Sequence, residues 1–198
     1  MDNLCHLYMF DVIYEKPLRV DALQNLETLT YISIYDWTYE ASSVEKMSRL
    51  HKLGVEEVDE KSDVCKLFAS LAKLMSFRHF TLRGFRFRSM SCLDEIGVLN
   101  GLKKLRLDGR LARLPIANKY LVVLVLVNTC LNENPMPELH CLEQLKQRNV
   151  YTGPEMVIRY GFPDLRVLRI NELWNLRNIL VEGAMSRTFT KQKHVACL

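Results

Sequence analysis

The stretch Leu102-Lys-Lys-Leu105-Arg-Leu107 carries leucine in the spacing L-x-x-L-x-L, and this spacing recurs along the chain. With Ile, Val, Phe or Met also allowed, the other copies begin at Leu4, Leu29, Leu50, Phe77, Leu121, Leu142 and Leu165, and the copy at Leu142 departs from the pattern only at its last position, Gln147. Successive copies start 23 residues apart on average, and leucine makes up 32 of the 198 residues. One such match arises by chance, but eight at a nearly constant spacing do not.

This spacing predicts the local structure of each copy. In x-L-x-L the apolar residues alternate, which indicates a short strand with one buried face. A core pattern that returns after about 20–29 residues is typical of leucine-rich repeats, which stack into a solenoid. We therefore predict an α/β fold, a leucine-rich repeat solenoid shaped as an irregular horseshoe. A parallel β-sheet forms its concave face and short helices and loops its convex face, with candidate helices at Ser43–Leu50 and Val64–Leu74.

The repeats also define the domain organisation. Residues 1–187 form the repeat region, with about eight to nine irregular repeats that are incomplete at both ends. Residues 188–198 form an off-pattern tail. Regular repeats place Asn or Cys just after the strand, where the side chain bonds backbone groups. At the matching positions of this chain only Thr129 can form such a bond, which predicts variable curvature.

Composition and charge narrow the class of protein. Hydrophobic residues make up 48% of the chain and charged residues 25%, as in a folded domain rather than a disordered segment. The longest apolar run, Tyr120–Val127, is far shorter than the roughly 20 residues of a membrane helix. The formal net charge of +4 is uneven, being −7 over residues 1–60, +9 over 61–130 and +2 over 131–198. This asymmetry indicates either a charged binding surface or a solvated face.

No pattern in the sequence points to catalysis, a metal or a cofactor. The chain lacks the G-x-S-x-G and H-E-x-x-H motifs and a phosphate-binding loop, and its five His are dispersed. The six Cys have no regular spacing, which favours free thiols in a reducing compartment. Arg83-Gly84-Phe85-Arg86-Phe87 begins like an RNA-recognition signature but then departs from it. We therefore expect a cytoplasmic protein that is not an enzyme and does not bind nucleic acid.

Several phrases resemble one family. They are Leu102-Lys-Lys-Leu105-Arg-Leu107, Phe162-Pro-Asp-Leu165-Arg-Val-Leu168-Arg-Ile170 and Leu173-Trp-Asn-Leu176 running on to Val181-Glu-Gly-Ala-Met185. With the irregular period, they resemble the repeat region of plant coiled-coil, nucleotide-binding, leucine-rich-repeat disease resistance proteins. The resemblance covers about residues 4–187 and includes neither the nucleotide-binding module nor the coiled coil.

The resemblance implies a role in plant defence as a sensor that also helps to hold a receptor inactive. The implied partner is a protein: a pathogen effector, a guarded host protein, or the nucleotide-binding domain of the receptor itself. A generic cytosolic repeat scaffold or a substrate-adaptor fragment is the alternative. An upstream nucleotide-binding segment in the gene would favour the receptor, whereas an F-box segment would favour the adaptor.

The outward strand positions are the candidate partner-binding residues, because the concave face is the usual binding surface of a solenoid. They change along the chain from aromatic and acidic to basic, then apolar, then basic again. The predicted binding residues are Tyr35, Arg78, Thr81, Arg83, Lys103, Lys104, Arg106, Val123, Val125, Lys146, Arg166 and Arg169. An acidic partner would complement such a surface. Solvated strand faces without a partner are the alternative interpretation.

Overall fold

A computed structural model describes most of the repeat region. The described residues are 3–9, 23–35, 44–85, 88–90, 93–115, 120–135, 139, 144–148, 151–159, 167–171 and 175–182. For 144–148, 159, 167–171 and 181–182 only the backbone is described. The predicted tail, residues 188–198, lies outside these ranges, as does the predicted boundary at residue 187.

The described chain forms a parallel sheet of eight strands, which confirms the predicted leucine-rich repeat solenoid. Seven of these strands pair in the order in which they occur in the sequence, and the eighth follows after one intervening strand. The strands of this main sheet are β1 (His6–Tyr8), β2 (Thr28–Ser33), β3 (Lys52–Val58), β4 (His79–Gly84), β5 (Lys104–Asp108), β6 (Val123–Val127), β7 (Gln144–Arg148) and β9 (Val167–Asn171).

The alternating leucines place the core on one side of this sheet. The register aligns Leu53, Phe80, Leu105 and Leu124 in one row across β3 to β6. A second buried row contains Val55, Leu82, Leu107 and Leu126. All eight side chains are at most 2% exposed. Because alternate residues of a strand face opposite sides, the residues between these rows line the other face, which we call the open face.

A repeated hydrogen-bond pattern fixes where each strand begins. The carbonyl oxygen of His51 accepts hydrogen bonds from the backbone N–H groups of Arg78 and His79, at 3.0 and 2.9 Å. The carbonyl of Arg78 likewise accepts from Lys103 and Lys104, at 2.8 and 3.0 Å. Each repeat therefore locks the next one in register immediately before the strand.

The second repeat has a different phase from the one that the sequence pattern indicated. The prediction that Leu29 is the first leucine of its repeat is wrong. Leu29 pairs with Leu53, which is the second leucine of the next repeat, so Leu29 is also a second leucine. The first leucine is therefore Leu26, which is fully buried. A β-bulge shifts the register between Leu29 and Ile32, so that Ile32 pairs with Val55.

Gly54 makes room for this bulge. The register leaves Thr30 and Tyr31 of β2 opposite Gly54 alone, and Tyr31 has a positive φ of 64°. A side-chain Cβ at Gly54 would lie 3.3 Å from Thr30 and from the Tyr31 nitrogen. A bulge adds one residue to a strand and increases its local twist. Because of the bulge, Ile32 rather than Tyr31 pairs with Val55. Leu29, Ile32 and Ile34 then have the L-x-x-L-x-L spacing, although the repeat starts three residues earlier, at Leu26.

The outer segments are only partly helical. Helix α1 covers Val64–Ala72, within the predicted range, and Asp63 caps it by accepting a hydrogen bond from the Lys66 N–H. Its buried side chains pack against the sheet, where Phe68 meets Phe80 edge to face with ring centroids 6.0 Å apart. A 3₁₀-helix, Asp94–Val98, occupies the next outer segment. The candidate helix at Ser43–Leu50 is described from residue 44, and those residues form mainly turns.

A second, two-stranded parallel sheet was not predicted. Its strands are β8 (Glu155–Arg159) and β10 (Asn178–Glu182), which pair with each other. The paired residues Glu155 and Asn178 are 23 positions apart, as are Gln144 and Val167 in the main sheet. Each of these last two repeats therefore contributes a strand to both sheets.

The helices of the described residues are all short. None is long and apolar enough to cross a membrane.

Candidate partner-binding surface

The register assigns the open-face residues to two rows that cross the sheet. The first row contains His6, Thr28, Lys52, His79, Lys104, Val123, Gln144 and Val167. The second row contains Tyr8, Thr30, Gly54, Thr81, Arg106, Val125, Lys146 and Arg169, with Tyr31 bulged beside Thr30. Neighbouring members of a row belong to adjacent strands, which are about 4.8 Å apart.

The predicted binding residues occupy several different positions relative to the sheet. Lys104 and Val123 lie in the first row; Thr81, Arg106, Val125, Lys146 and Arg169 lie in the second. Arg83 lies opposite Asp108 in the strand register, where β4 and β5 end. Arg78 and Lys103 directly precede β4 and β5, whereas Tyr35 follows β2. Arg166 lies outside the described residues, and only the backbone of Lys146 and Arg169 is described.

A group of six basic side chains lies where the chain enters strands β3 to β5. This basic block consists of His51, Lys52, Arg78, His79, Lys103 and Lys104. In the described part of the chain, none of the six forms an ion pair with a carboxylate. The lysine and arginine charges of the block therefore lack an ion-pair partner among the described residues, and the acid at the neighbouring entry position is Glu27, directly before β2.

The sequence analysis did not include three members of this block, His51, Lys52 and His79, among the binding residues. Each occupies the same place in its repeat as a predicted residue. Lys52 pairs with His79, and His79 with Lys104. Counting back from Lys103 and Lys104 to the same positions in the two preceding repeats would have identified them in the sequence.

Aromatic rings and backbone oxygens hold the long basic side chains in place. The ammonium of Lys103 lies 5.5 Å from the ring centroid of Tyr120, and that of Lys52 lies 5.8 Å from the Tyr8 centroid. Attraction to the ring face stabilises each ammonium without neutralising it. The Arg78 guanidinium donates to the Phe77 carbonyl oxygen at 2.7 Å.

His79 lies between two lysines in the first row. Burial lowers its pKa below the usual value, and the nearby charges of Lys104, Lys52 and His51 lower it further. The neutral form of the imidazole is therefore favoured at neutral pH while the surface is free. A bound anion would counter this effect, because an opposite charge favours the protonated form.

The ends of the same strands have a different electrostatic character, because acids and bases there are paired. Arg106 pairs with Asp108 at 2.9 Å, and Asn128 donates to the other oxygen of Asp108 at 3.1 Å. Arg83 lies 3.7 Å from Glu56. The two arginines line a shallow pocket of about 190 Å³ together with Tyr31, Thr81 and Asp108.

Asp59, just beyond β3, anchors this second region. Its carboxylate is fully buried and accepts hydrogen bonds from Tyr35 (3.1 Å), Ser62 (3.1 Å), the Lys61 N–H (3.0 Å) and Arg88 (3.1 Å). Burial raises its pKa, but the hydrogen bonds outweigh this effect and hold the pKa below its usual value. Tyr35 therefore belongs to a structural cluster as well as to the surface.

An apolar strand borders the charged strands. In the register, Val123 is the neighbour of Lys104 and Val125 is the neighbour of Arg106. Both valines are half-buried, whereas Val127 is almost completely covered. The open face therefore changes from cationic to half-buried β-branched side chains within one strand spacing.

The described residues offer no constellation for metal chemistry. Among them, no group of three or more His, Cys, Asp or Glu could hold a metal ion. Among the described residues, Cys5, Cys65 and Cys130 are not joined in disulfide bonds.

Comparison with known proteins finds relatives that are named as plant disease resistance proteins. No family model matches the chain. The Arabidopsis thaliana protein named "Probable disease resistance protein RXW24L" is 34% identical over 206 residues, covering 96% of this chain. "Disease resistance protein RPP8" and "Disease resistance RPP8-like protein 3", from the same plant, are 30% and 31% identical and cover 88% of the chain.

The chain is homologous to a region of plant disease resistance proteins of the nucleotide-binding, leucine-rich-repeat class. It spans about one fifth of the length of these relatives, with 20–22% of each relative aligned. The resemblance noted in the sequence is thereby confirmed at the level of family and repeat type. The solenoid fold of the disease-resistance repeat region suggests interaction with other proteins.

Proposed function

We propose that this chain is a protein-binding module of a cytoplasmic plant immune receptor. In this role the open face of the sheet binds an acidic surface and does not catalyse a reaction. The partner is a pathogen effector, a guarded host protein, or the nucleotide-binding domain of the receptor. The homology to disease resistance proteins supports the receptor context, and the repeat fold supports protein binding.

The basic block carries the proposal for the binding surface. Six basic side chains occupy consecutive entry positions of three adjacent strands without acidic partners in the described chain. Several like charges side by side oppose folding slightly, and an acidic partner surface would offset this repulsion. A complementary acidic surface would accelerate association and select against basic partners.

The experiment replaces the matching region of the RPP8 protein with this chain and measures the defence response in leaf tissue. Arg78, Lys103 and Lys104 are changed together to Glu, and Lys46→Glu is the control. Lys46 is exposed in the connection between β2 and β3, away from the basic block. Immunoblots verify that all variants accumulate equally.

We expect the triple variant to change the response, either by losing recognition or by releasing the receptor from inhibition. The Lys46→Glu variant should respond like the unmodified chimaera. An unchanged response in the triple variant, at equal protein level, would contradict a partner-binding role for this surface.

A further inference from the structure

The spacing of the unpaired charges indicates what kind of acidic partner fits. We infer that Lys52, His79, Lys104 and the adjacent Val123 form a docking site for an acidic α-helix of a partner protein. This inference rests on the proposed function, since it specifies the partner of the same surface. The helix axis lies along the first row, across strands β3 to β6.

Strand spacing favours a helix over an extended segment. Adjacent members of the first row are about 4.8 Å apart, so Lys52 and Lys104 are separated by roughly 10 Å. On a helix, residues i, i+4 and i+7 share a face, and i to i+7 spans about 10.5 Å. An extended chain places same-face residues about 6.8 Å apart, so its third acid would lie roughly 13.5 Å away. Carboxylates on a helix therefore match all three strands.

The valine that ends the row adds an apolar requirement. Val123 lies one strand beyond Lys104, and thus roughly 14 Å from Lys52. Position i+10 or i+11 of the helix, about 15–16 Å along its axis, falls over this residue. The partner helix should carry three acids and then an apolar side chain on one face. Such a pattern distinguishes a protein helix from a nucleic acid, which offers charge but no aliphatic group.

The paired acids at the strand ends confine the helix to the first row. Glu56 and Asp108 lie beyond the second row, where they already bind Arg83 and Arg106. A partner carboxylate placed there would meet these two acids as well as the arginines. This repulsion disfavours binding of the partner helix along the second row, and attraction to the unpaired bases favours the first row.

His79 gives the docking site a signature in pH. It faces Lys52 on β3 and Lys104 on β5, with His51 also near, and the acid at the neighbouring entry position is Glu27, before β2. A partner carboxylate above the row would stabilise the imidazolium. Binding should therefore take up a proton and strengthen as the pH falls toward about 5.5.

The test uses the whole chain and a fluorescein-labelled, side-chain-stapled helical peptide of about 14 residues. The matched peptide carries Glu at i, i+4 and i+7 and Leu at i+11. A scrambled peptide has the same composition but distributes these residues around the helix. Fluorescence anisotropy is measured at physiological ionic strength, with Lys52→Glu and Lys104→Glu as test variants and Lys46→Glu as control. Circular dichroism melts verify folding, and Lys52→Ala and Lys104→Ala replace any reversal that fails to fold.

We expect the matched peptide to bind more tightly than the scrambled one, and each reversal to weaken it by about three- to tenfold. Lys46→Glu should have little effect. Binding should tighten by about two- to fivefold between pH 7.5 and 5.5, and His79→Gln should remove this change.

Equal binding of the two peptides would overturn the helix assignment, although the proposed acidic partner would still stand. Complete displacement of the peptide by a single-stranded oligonucleotide of equal charge would also overturn the helix assignment, because the site would then recognise negative charge alone. If Lys52→Glu and Lys104→Glu leave the affinity unchanged, the docking site lies elsewhere. The leaf experiment remains an independent measure of the proposed function, so failure of either can be recognised separately.

Discussion

The two ends of strands β3 to β5 contain similar residue types in opposite arrangements. We call the N-terminal ends of these strands the entry edge and their C-terminal ends the exit edge. At the entry edge the basic block has no ion pair among the described residues, and two of its lysines lie near aromatic rings. At the exit edge Arg83, Arg88 and Arg106 each contact a carboxylate. The difference teaches that charge pairing, rather than charge count, distinguishes the two edges.

The exit edge also explains how an irregular repeat is stabilised. The register of β3 against β4 shifts between Val55 and Val58, and Glu57 has a positive φ of 63°. The chain then turns at Asp59, whose hydrogen bonds join residues before, within and after the same repeat. The side chains at this edge therefore stabilise the fold, and those at the entry edge remain available for binding.

Removing the Asp59 carboxylate should produce the largest effect. In Asp59→Ala, the Ser62 hydroxyl, the Lys61 N–H and the Tyr35 hydroxyl lose their acceptor in a buried site. We expect the free energy of unfolding to fall by about 2–4 kcal/mol, measured by urea denaturation. Asp63→Ala is the matched control, since it removes an exposed helix cap and an exposed ion pair with Lys66 and should cost about 1 kcal/mol. Equal losses of unfolding free energy in the two variants would show that the buried hydrogen bonds of Asp59 add no more stability than an exposed cap.

The same carboxylate should contribute to the acid stability of the chain. Its pKa is lowered on folding, below the value of about 3.9 in an unfolded chain. Its stabilisation is therefore fully present above that value and is lost as the pH falls through the lower folded value. In Asp59→Asn the decline in unfolding free energy between about pH 5 and 2 should be shallower than in the unmodified chain. Parallel pH profiles would exclude this contribution.

Gly109 offers a test of the backbone at the exit edge. It has a φ of 142°, and a Cβ there would approach the Gly84 backbone to 3.1 Å. Gly109→Ala should lower the unfolding free energy by about 1–3 kcal/mol through strain in the left-handed region. Binding of the helical peptide should not change, because the basic block is unaffected. A stabilised variant would mean that the backbone at this position relaxes easily.

The sequence alone predicted the repeat type, the strands β3 to β6 and helix α1, because leucine spacing follows directly from alternate burial. It did not predict the phase of the second repeat. The bulge at Thr30 and Tyr31 adds one residue without changing composition, and only pairing with Gly54 reveals it. Strands β8 and β10 were missed for a related reason, since Met156 and Ile158 do not match the leading leucine pattern.

The surface was predictable in composition but not in pairing. Arg83 and Arg106 look equivalent to Lys103 and Lys104 in the sequence, since all are basic residues of the same repeats. Their partners Glu56 and Asp108 lie in other strands or two residues away, and the register decides which of them meet. The contribution of each predicted residue to partner binding stays a prediction.

The smallest expected effect separates the two edges most directly. Arg106→Ala breaks the ion pair with Asp108 and should lower the unfolding free energy by up to about 1 kcal/mol. Lys104→Ala removes a charge that faces other cations, so it should leave stability unchanged or raise it by a few tenths of a kcal/mol. A double-mutant cycle of Arg106 and Asp108 would isolate the favourable pair energy, whereas a cycle of Lys52 and Lys104, roughly 10 Å apart, should give a coupling near zero. Equal favourable couplings in the two cycles would contradict the contrast between the paired and unpaired edges.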